Sequence, residues 1–333
     1  IEKLIAAASY LTAGGAGFVW LIIAASLVLA GCILFVGVMA MLGWDFAKLS
    51  TIRYETNTYE INESFSDILI VTDNANIIFA LSDNGKCRVE CYEETNAKHS
   101  VTTQEDNLVI KVVDTKSWYD YMGICFDSPK ITVYLPKTKY KALSISGSTG
   151  NVKVPKDFVF ENTDISLSTG KADFCASVSE KIKIKTSTGN VCVENITAGS
   201  IELMTSTGKM TVCGVKCEGD ITTGVSTGRA YLTDVACKSI ISRGNTGDIF
   251  LNNVIAAEKF YIERGTGDVK FDSSDANEIF VKTSTGNVTG SFLSNKVFIT
   301  QTDTGDVNVP KTLTGGKCEI CTSTGNIKIK TDQ

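Results

Sequence analysis

The sequence predicts an all-β fold: a parallel β-helix, or β-solenoid, of about ten regular coils behind an irregular N-terminal β cap and one transmembrane helix. Three observations carry this. A Thr-Gly corner recurs ten times, at Gly150, Gly170, Gly189, Gly208, Gly228, Gly247, Gly267, Gly286, Gly305 and Gly325, with gaps of only 19 or 20 residues. Positions two and four after the glycine are apolar, as in Val152 and Val154, Val191 and Val193, Met210 and Val212, Ile249 and Leu251, Val307 and Val309, and Ile327 and Ile329. The residue between them drifts freely (Lys153, Cys192, Thr211, Phe250, Asn308, Lys328), which is the period-two pattern of a strand with one buried face. Seven and five positions before the glycine, Ile182 and Ile184, Ile201 and Leu203, Ile279 and Val281, and Cys318 and Ile320 form a second inward-facing strand.

Two short strands and their corners use up one coil. An apolar residue often returns seven past the glycine, at Ile196, Val215, Val235, Val254 and Leu293. The glycine suits a corner that needs positive φ, because it lacks a Cβ. A threonine precedes it in all ten units, from Thr149 to Thr324, and a stacked ladder of these hydroxyls is expected to bond corner backbone groups of the next coil.

The elements follow in order. Residues 1–44 form the N-terminal anchor: no charge falls between Lys3 and Asp45, and Phe18–Leu42 is almost purely apolar. A helix of that stretch spans ~38 Å against a hydrocarbon core of ~30 Å, enough to cross with some tilt. Trp20 and Trp44 lie near its ends, where amphipathic rings favour the interface. Leu29-Ala30-Gly31-Cys32 also matches a lipoprotein cleavage box, but the apolar run continues past Cys32, so an uncleaved single-pass anchor with the β domain outside is the reading adopted. Residues 45–56 read as a linker. Residues 57–146 read as the cap, with strands at Ile68–Val71, Ile77–Leu81, Cys87–Tyr92, Leu108–Val113 and Ile131–Leu135, and Thr72–Ile77 resembles a degenerate repeat corner. Residues 147–333 hold the regular coils. The chain stops after the Gly325 strand, so that coil is expected to lie uncapped, guarded by Lys328 and Lys330 or open to self-association.

Chemistry is sparse. The net charge of −5 gives no basic footprint for nucleic acid. No nucleophile elbow, phosphate loop or paired zinc motif is present, so no catalytic residue and no cofactor are expected. His99, the single histidine, falls in a polar stretch, Glu93–Ser100, that reads as a solvated loop. The eleven cysteines read as small buried hydrophobes; Cys217 and Cys237 stack on adjacent coils, as a disulfide or as free thiols. The residue after each corner glycine forms one column: Asn151, Lys171, Asn190, Lys209, Arg229, Asp248, Asp268, Asn287, Asp306 and Asn326. Its acids stay hydrated, or Asp248, Asp268, Asp303 and Asp306 bridge calcium. Trp118, Tyr119 and Tyr121 form the dense aromatic cluster outside the anchor, either covering the cap or stacking on a ligand. The Thr-x-Thr runs are interrupted by Gly147, Leu167, Val225, Gly244 and Arg264, which breaks any flat threonine array.

The Ser-Thr-Gly-Asn-Val and Thr-Gly-Asp-Val units, with Ile182–Thr186 before one of them and Val133-Tyr134-Leu135-Pro136 upstream, resemble the bacterial putative-adhesin β-strand-repeat family, a domain of unknown function. The resemblance covers roughly residues 57–330. It implies an envelope-exposed β-solenoid, often with one N-terminal membrane helix, and it brings no catalytic residues. The functional expectation is a non-enzymatic, adhesin-like binding or structural protein, held to membrane lipid through residues 18–42 and contacting an envelope protein or glycan. A sensor or scaffold working with a membrane partner and, less favoured, a polysaccharide-active β-helix enzyme are the alternatives.

Overall fold

The computed structural model describes residues 2–45, 52–114 and 127–331. Contacts divide the chain into two units, one holding the helix and one holding the strands. Helix α1 (Glu2–Met41) is unbroken by proline, and its stretch Val19–Met41 has a mean hydropathy of 2.8 and is largely exposed, Met39 being the buried exception. That length and composition suit a membrane span; a signal sequence shares them. Gly43 and Trp44 end the helix in left-handed conformation, with Trp44 N donating to Met39 O at 2.8 Å.

The strand unit is a solenoid with two parallel stacks. Each coil gives one strand before its corner and one after it. In the first stack, β8 (Lys139–Thr149) pairs with Val159–Thr169, which pairs with Ser177–Thr188, and so on in parallel register. In the second, β9 (Val152–Val154) pairs with Ala172–Phe174 and that with Val191–Glu194. The alternation read from the sequence is the alternation of burial: Ile182, Ile184, Val191, Val193, Met210 and Val212 all point inward and are buried. Each side chain of this kind contributes roughly 1.5–3 kcal/mol by leaving water. In the core Phe260 stacks on Phe271 at 5.9 Å between centroids, and Phe292 meets Phe271 edge-on at 4.9 Å.

The corner glycines have two reasons to be glycine. Their φ values run from 125° to 157°. A Cβ at Gly208 would also lie 1.9 Å from the carbonyl oxygen of Gly189, and the same collision recurs along the column. A second corner, six residues on, is left-handed at Asn195, Gly214, Asp234, Asn253 and Ser273. These are the residue types that tolerate such a conformation.

The ends depart from chain order. At the C-terminal end, Gly316–Thr324 pairs with Val269–Thr285 on one side and with Lys296–Thr304 on the other. The Gly325 coil therefore lies between the Gly286 and Gly305 coils, and it is not the uncapped end expected from sequence. Its Lys328 pairs with Thr289 and Asn308 on either side. The outermost described coil is that of Gly305, and so Val307, inward by pattern, is 44% exposed. Leu293, also expected inside, is 43% exposed because the ladder slips by one and Phe292 takes the inward place opposite Ser274.

At the N-terminal end the five expected strands are present as β2 (Asp67–Asn74), β3 (Asn76–Leu81), β4 (Cys87–Glu94), β6 (Asn107–Asp114) and β7 (Lys130–Leu135). Two more were not anticipated: β1 (Tyr54–Ile61), which begins inside the expected linker, and β5 (Ala97–Gln104). Strands β2 and β3 make a coil beside β8 and β9, with Ala75 at the corner; β6 and β7 make the next one out. Beyond it the direction reverses, as β4 and β5 pair antiparallel with β7 and β6, and β1 pairs antiparallel with β4.

Candidate functional site

The column after the corner glycines is a hydrogen-bond ladder. Asn190 Oδ1 accepts from Lys209 N at 2.9 Å, Asp248 Oδ1 from Asp268 N at 3.0 Å, Asp268 Oδ1 from Asn287 N at 2.7 Å, and Asn287 Oδ1 from Asn326 N at 2.9 Å. An Asn or Asp here supplies an acceptor to the next coil's backbone. Asp248 also meets Arg229 Nε at 3.3 Å. The calcium candidates are thus dispersed: Asp248 and Asp268 adjoin, whereas Asp306 follows Asn326, three coils beyond Asp268, and Asp303 lies beside Gln301 on the other side of its corner.

The threonine next to each glycine lends its carbonyl rather than its hydroxyl: Gly170 N donates to Thr188 O at 2.9 Å, and Gly286 N to Thr324 O at 2.9 Å. The hydroxyls that reach corner carbonyls come from two residues earlier. Thr205 Oγ1 donates to Gly189 O at 3.1 Å, Thr322 Oγ1 to Gly286 O at 3.2 Å and Thr302 Oγ1 to Gly325 O at 3.0 Å. Arg264 occupies this inward position in the Gly267 coil. It is 5% exposed, fills the space left by Gly244 and donates from Nη2 to Ser242 Oγ at 2.8 Å. Burial pulls its pKa down to about 10.

Along the same corner runs an open groove of about 610 Å³, formed by six successive coils from Ser146 to Asn245. Five strand spacings make it ~24 Å long. It is lined by a row of serines, Ser168, Ser187, Ser206 and Ser226, and by a parallel row two residues earlier that holds Ser166, Lys185 and Met204, with Arg243 at one end. Arg243 pairs with Glu263 at 3.2 Å and lies 5.3 Å over the ring of Tyr261. The Tyr261 hydroxyl donates to Glu263 at 2.8 Å, which, with Arg243, holds that carboxyl below its ordinary range. Tyr261 and Phe280 stack at 4.9 Å, and Tyr231 and Phe250 at 4.8 Å, as half-exposed outward pairs. Sequence reasoning missed these pairs, although each is two aromatics in the same phase of adjacent repeats. The aromatic cluster it did select, Trp118, Tyr119 and Tyr121, lies outside the described residues.

His99 is not a solvated loop residue. It sits on β5, is 4% exposed and joins a buried polar cluster. Its Nδ1 is 2.7 Å from Glu93 Oε2, its backbone N donates to the same oxygen at 2.6 Å, and its Nε2 is 2.9 Å from Thr72 Oγ1. Glu93, with no exposure, also accepts from Asn57 Nδ2 at 2.8 Å. Cys91 adjoins them, and burial together with the Glu93 charge pushes its thiol up to about 12. The pairing of β5 with β6 brings this polar stretch inside, which composition does not reveal. Cys217 and Cys237 are buried free thiols.

These features define a repetitive β-solenoid with an exposed, hydroxyl-rich groove and a separate apolar helix. Residues 65–228 and 218–333 match the model of the Toastrack DUF4097 family, and the chain belongs to that family. Among solved structures it is similar to a "putative adhesin" from Bacteroides fragilis (15% identity, 84% of this chain and 97% of that one, TM-score 0.41). It is also similar to two proteins of Parabacteroides distasonis. One is a "putative adhesin" (12%, 83% and 97%, 0.45), the other a "putative lipid binding protein" (15%, 84% and 98%, 0.32). Likeness at these scores carries no functional argument. Over 113 residues the chain is 34% identical to the phenylalanine–tRNA ligase beta subunit of Methanosphaera stadtmanae, covering 33% of this chain and about a fifth of that protein's length (20%).

Proposed function

We propose that this is a non-enzymatic binding protein of the bacterial envelope, anchored by its N-terminal helix with the solenoid outside, and that its serine-lined groove takes an extended glycan. The groove carries the reading. Its hydroxyls repeat at the strand spacing of ~4.8 Å, whereas an extended peptide advances ~3.3 Å per residue and falls out of step within two residues. A β-linked glycan presents hydroxyls on every sugar at close to the strand interval. The Arg243, Glu263 and Tyr261 group offers a charged donor, a charged acceptor and a ring at one end, the set that sugar hydroxyls and faces engage. The groove holds Lys185 and Arg243 but no paired carboxylates across it, which favours binding over glycoside hydrolysis.

The test is a screen of the full chain, in detergent micelles, against envelope glycans, beside co-purification from native membranes. Saturable binding to an extended glycan that is lost in Ser187→Arg/Ser206→Arg supports the proposal. Silence on the glycans with one stoichiometric membrane protein in the pull-down replaces it with the sensor or scaffold reading.

A further inference from the structure

Away from the groove, the inward face of β4 reads Cys87, Val89, Cys91, Glu93, so an apolar row ends in a carboxylate with no exposure. A carboxylate at such depth is costly unless it is paired. Here His99 from β5 and Asn57 from β1 converge on it, and Thr72 from β2 holds the far side of the imidazole. The Cys91 sulfur, a Glu93 carboxylate oxygen and a His99 ring nitrogen lie within 4.8 Å of one another. Among the described residues no second group of three ligating side chains converges in this way.

We propose that Cys91, Glu93 and His99 form a zinc site at the N-terminal end of the solenoid, oriented by Thr72 and Asn57. A thiolate, an imidazole and a carboxylate are the three donor types zinc takes, whereas calcium and magnesium take oxygen alone. Thr72 sits on Nε2, leaving Nδ1 turned toward Glu93 and the ion. A zinc-bound histidine donates its second ring N–H to an oxygen acceptor, the part the Thr72 hydroxyl oxygen takes here, and Asn57 hydrogen-bonds the carboxylate. On binding, the thiol proton leaves to solvent and the imidazole proton shifts to Nε2, where it is donated to the Thr72 oxygen. Three protein ligands leave one tetrahedral position for a water. The ion would clip β4 to β5, and its outer partners would tie in β1 and β2, where the chain turns from antiparallel cap to parallel coil.

The full chain in detergent, stripped with a chelator, is titrated with zinc alone and with cobalt alone. One equivalent per chain is expected, with a thiolate-to-cobalt absorption band that disappears in Cys91→Ser while circular dichroism stays unchanged. Thr72→Val should weaken zinc affinity roughly tenfold to a hundredfold. Because the chain has eleven cysteines, X-ray absorption of the zinc-loaded wild type counts the sulfurs. One sulfur with nitrogen and oxygen supports the site even if Cys91→Ser fails to fold. No stoichiometric binding, a band that survives in Cys91→Ser, or a sulfur count other than one overturns it.

Discussion

The regular coils satisfy their backbone along the solenoid, from one corner to the same corner of the next coil: Asn190 to Lys209, Thr205 to Gly189, Thr188 to Gly170. The N-terminal end has no such repeat to lean on. There the chain reverses, β4 and β5 lie antiparallel to the coil before them, and the core closes on Glu93, His99, Thr72 and Asn57. The comparison teaches that one small motif repeated in phase can build a long fold with little side-chain chemistry inside. Inside the coils the buried polar side chains are mostly single threonines and serines, with Arg264 and Lys296 among them, whereas the buried Glu93–His99 pair sits where the repetition stops. It also shows why the groove runs across the regular coils, since only there do equal side chains line up at equal intervals.

Five substitutions, one of them followed into acid, probe this contrast. Gly208→Ala in a regular coil places a Cβ against the Gly189 carbonyl at a φ of 151°, and it should cost more than about 4 kcal/mol. Urea unfolding of the full chain is expected to show a lower, broader transition; an unchanged midpoint would refute the close-approach account. His99→Ala at the N-terminal end leaves the Glu93 carboxylate buried with fewer donors, and about 3 kcal/mol should be lost. Hydrogen exchange should then open β4 and β5 while the Gly208 coil stays protected, which is the sharpest separation of the two regions.

The contrast also sets what was legible beforehand. The ten glycines and the alternation around them exposed the coil, its two strands and its inward residues, because a period survives drift in any single residue. The antiparallel end was legible only as five separate strands. A strand such as β5, with Lys98, His99 and Thr102 on it, has no apolar alternation, and His99 is held by partners 6, 27 and 40 residues away, Glu93, Thr72 and Tyr59. The placement of the Gly325 coil between those of Gly286 and Gly305 was hidden for a related reason: identical corners stack equally well in either order. Of the site, the Asx column was visible as a column but its ladder role was not, since that role lies in the backbone N–H of the next coil.

Smaller effects belong to the regular coils. Thr205→Val removes the hydroxyl bond to Gly189 and should cost about 1 kcal/mol, with the core unchanged. Asn190→Ala removes one exposed rung and should cost less than about 1 kcal/mol, lowering the melting temperature by only a degree or two; a larger drop would mean that the ladder is cooperative. Smallest is the acid limb. The Lys181 hydrogen bond lowers the Glu202 carboxyl below its ordinary 4.5, so its contribution is complete above that value and fades as pH falls through the lowered one. In Glu202→Gln the melting temperature should therefore differ slightly from wild type near neutrality and converge with it in acid. Divergence in acid would contradict the ion pair.

The most direct test of the binding reading is one isotherm measured three times. The affinity of the full chain for the glycan found in the screen is compared between wild type, Ser206→Arg in the groove, and Thr211→Arg on the opposite stack of the same coil. The groove account predicts at least a tenfold loss for Ser206→Arg and wild-type affinity for Thr211→Arg. Equal affinity in all three, or equal loss in both variants, would contradict it.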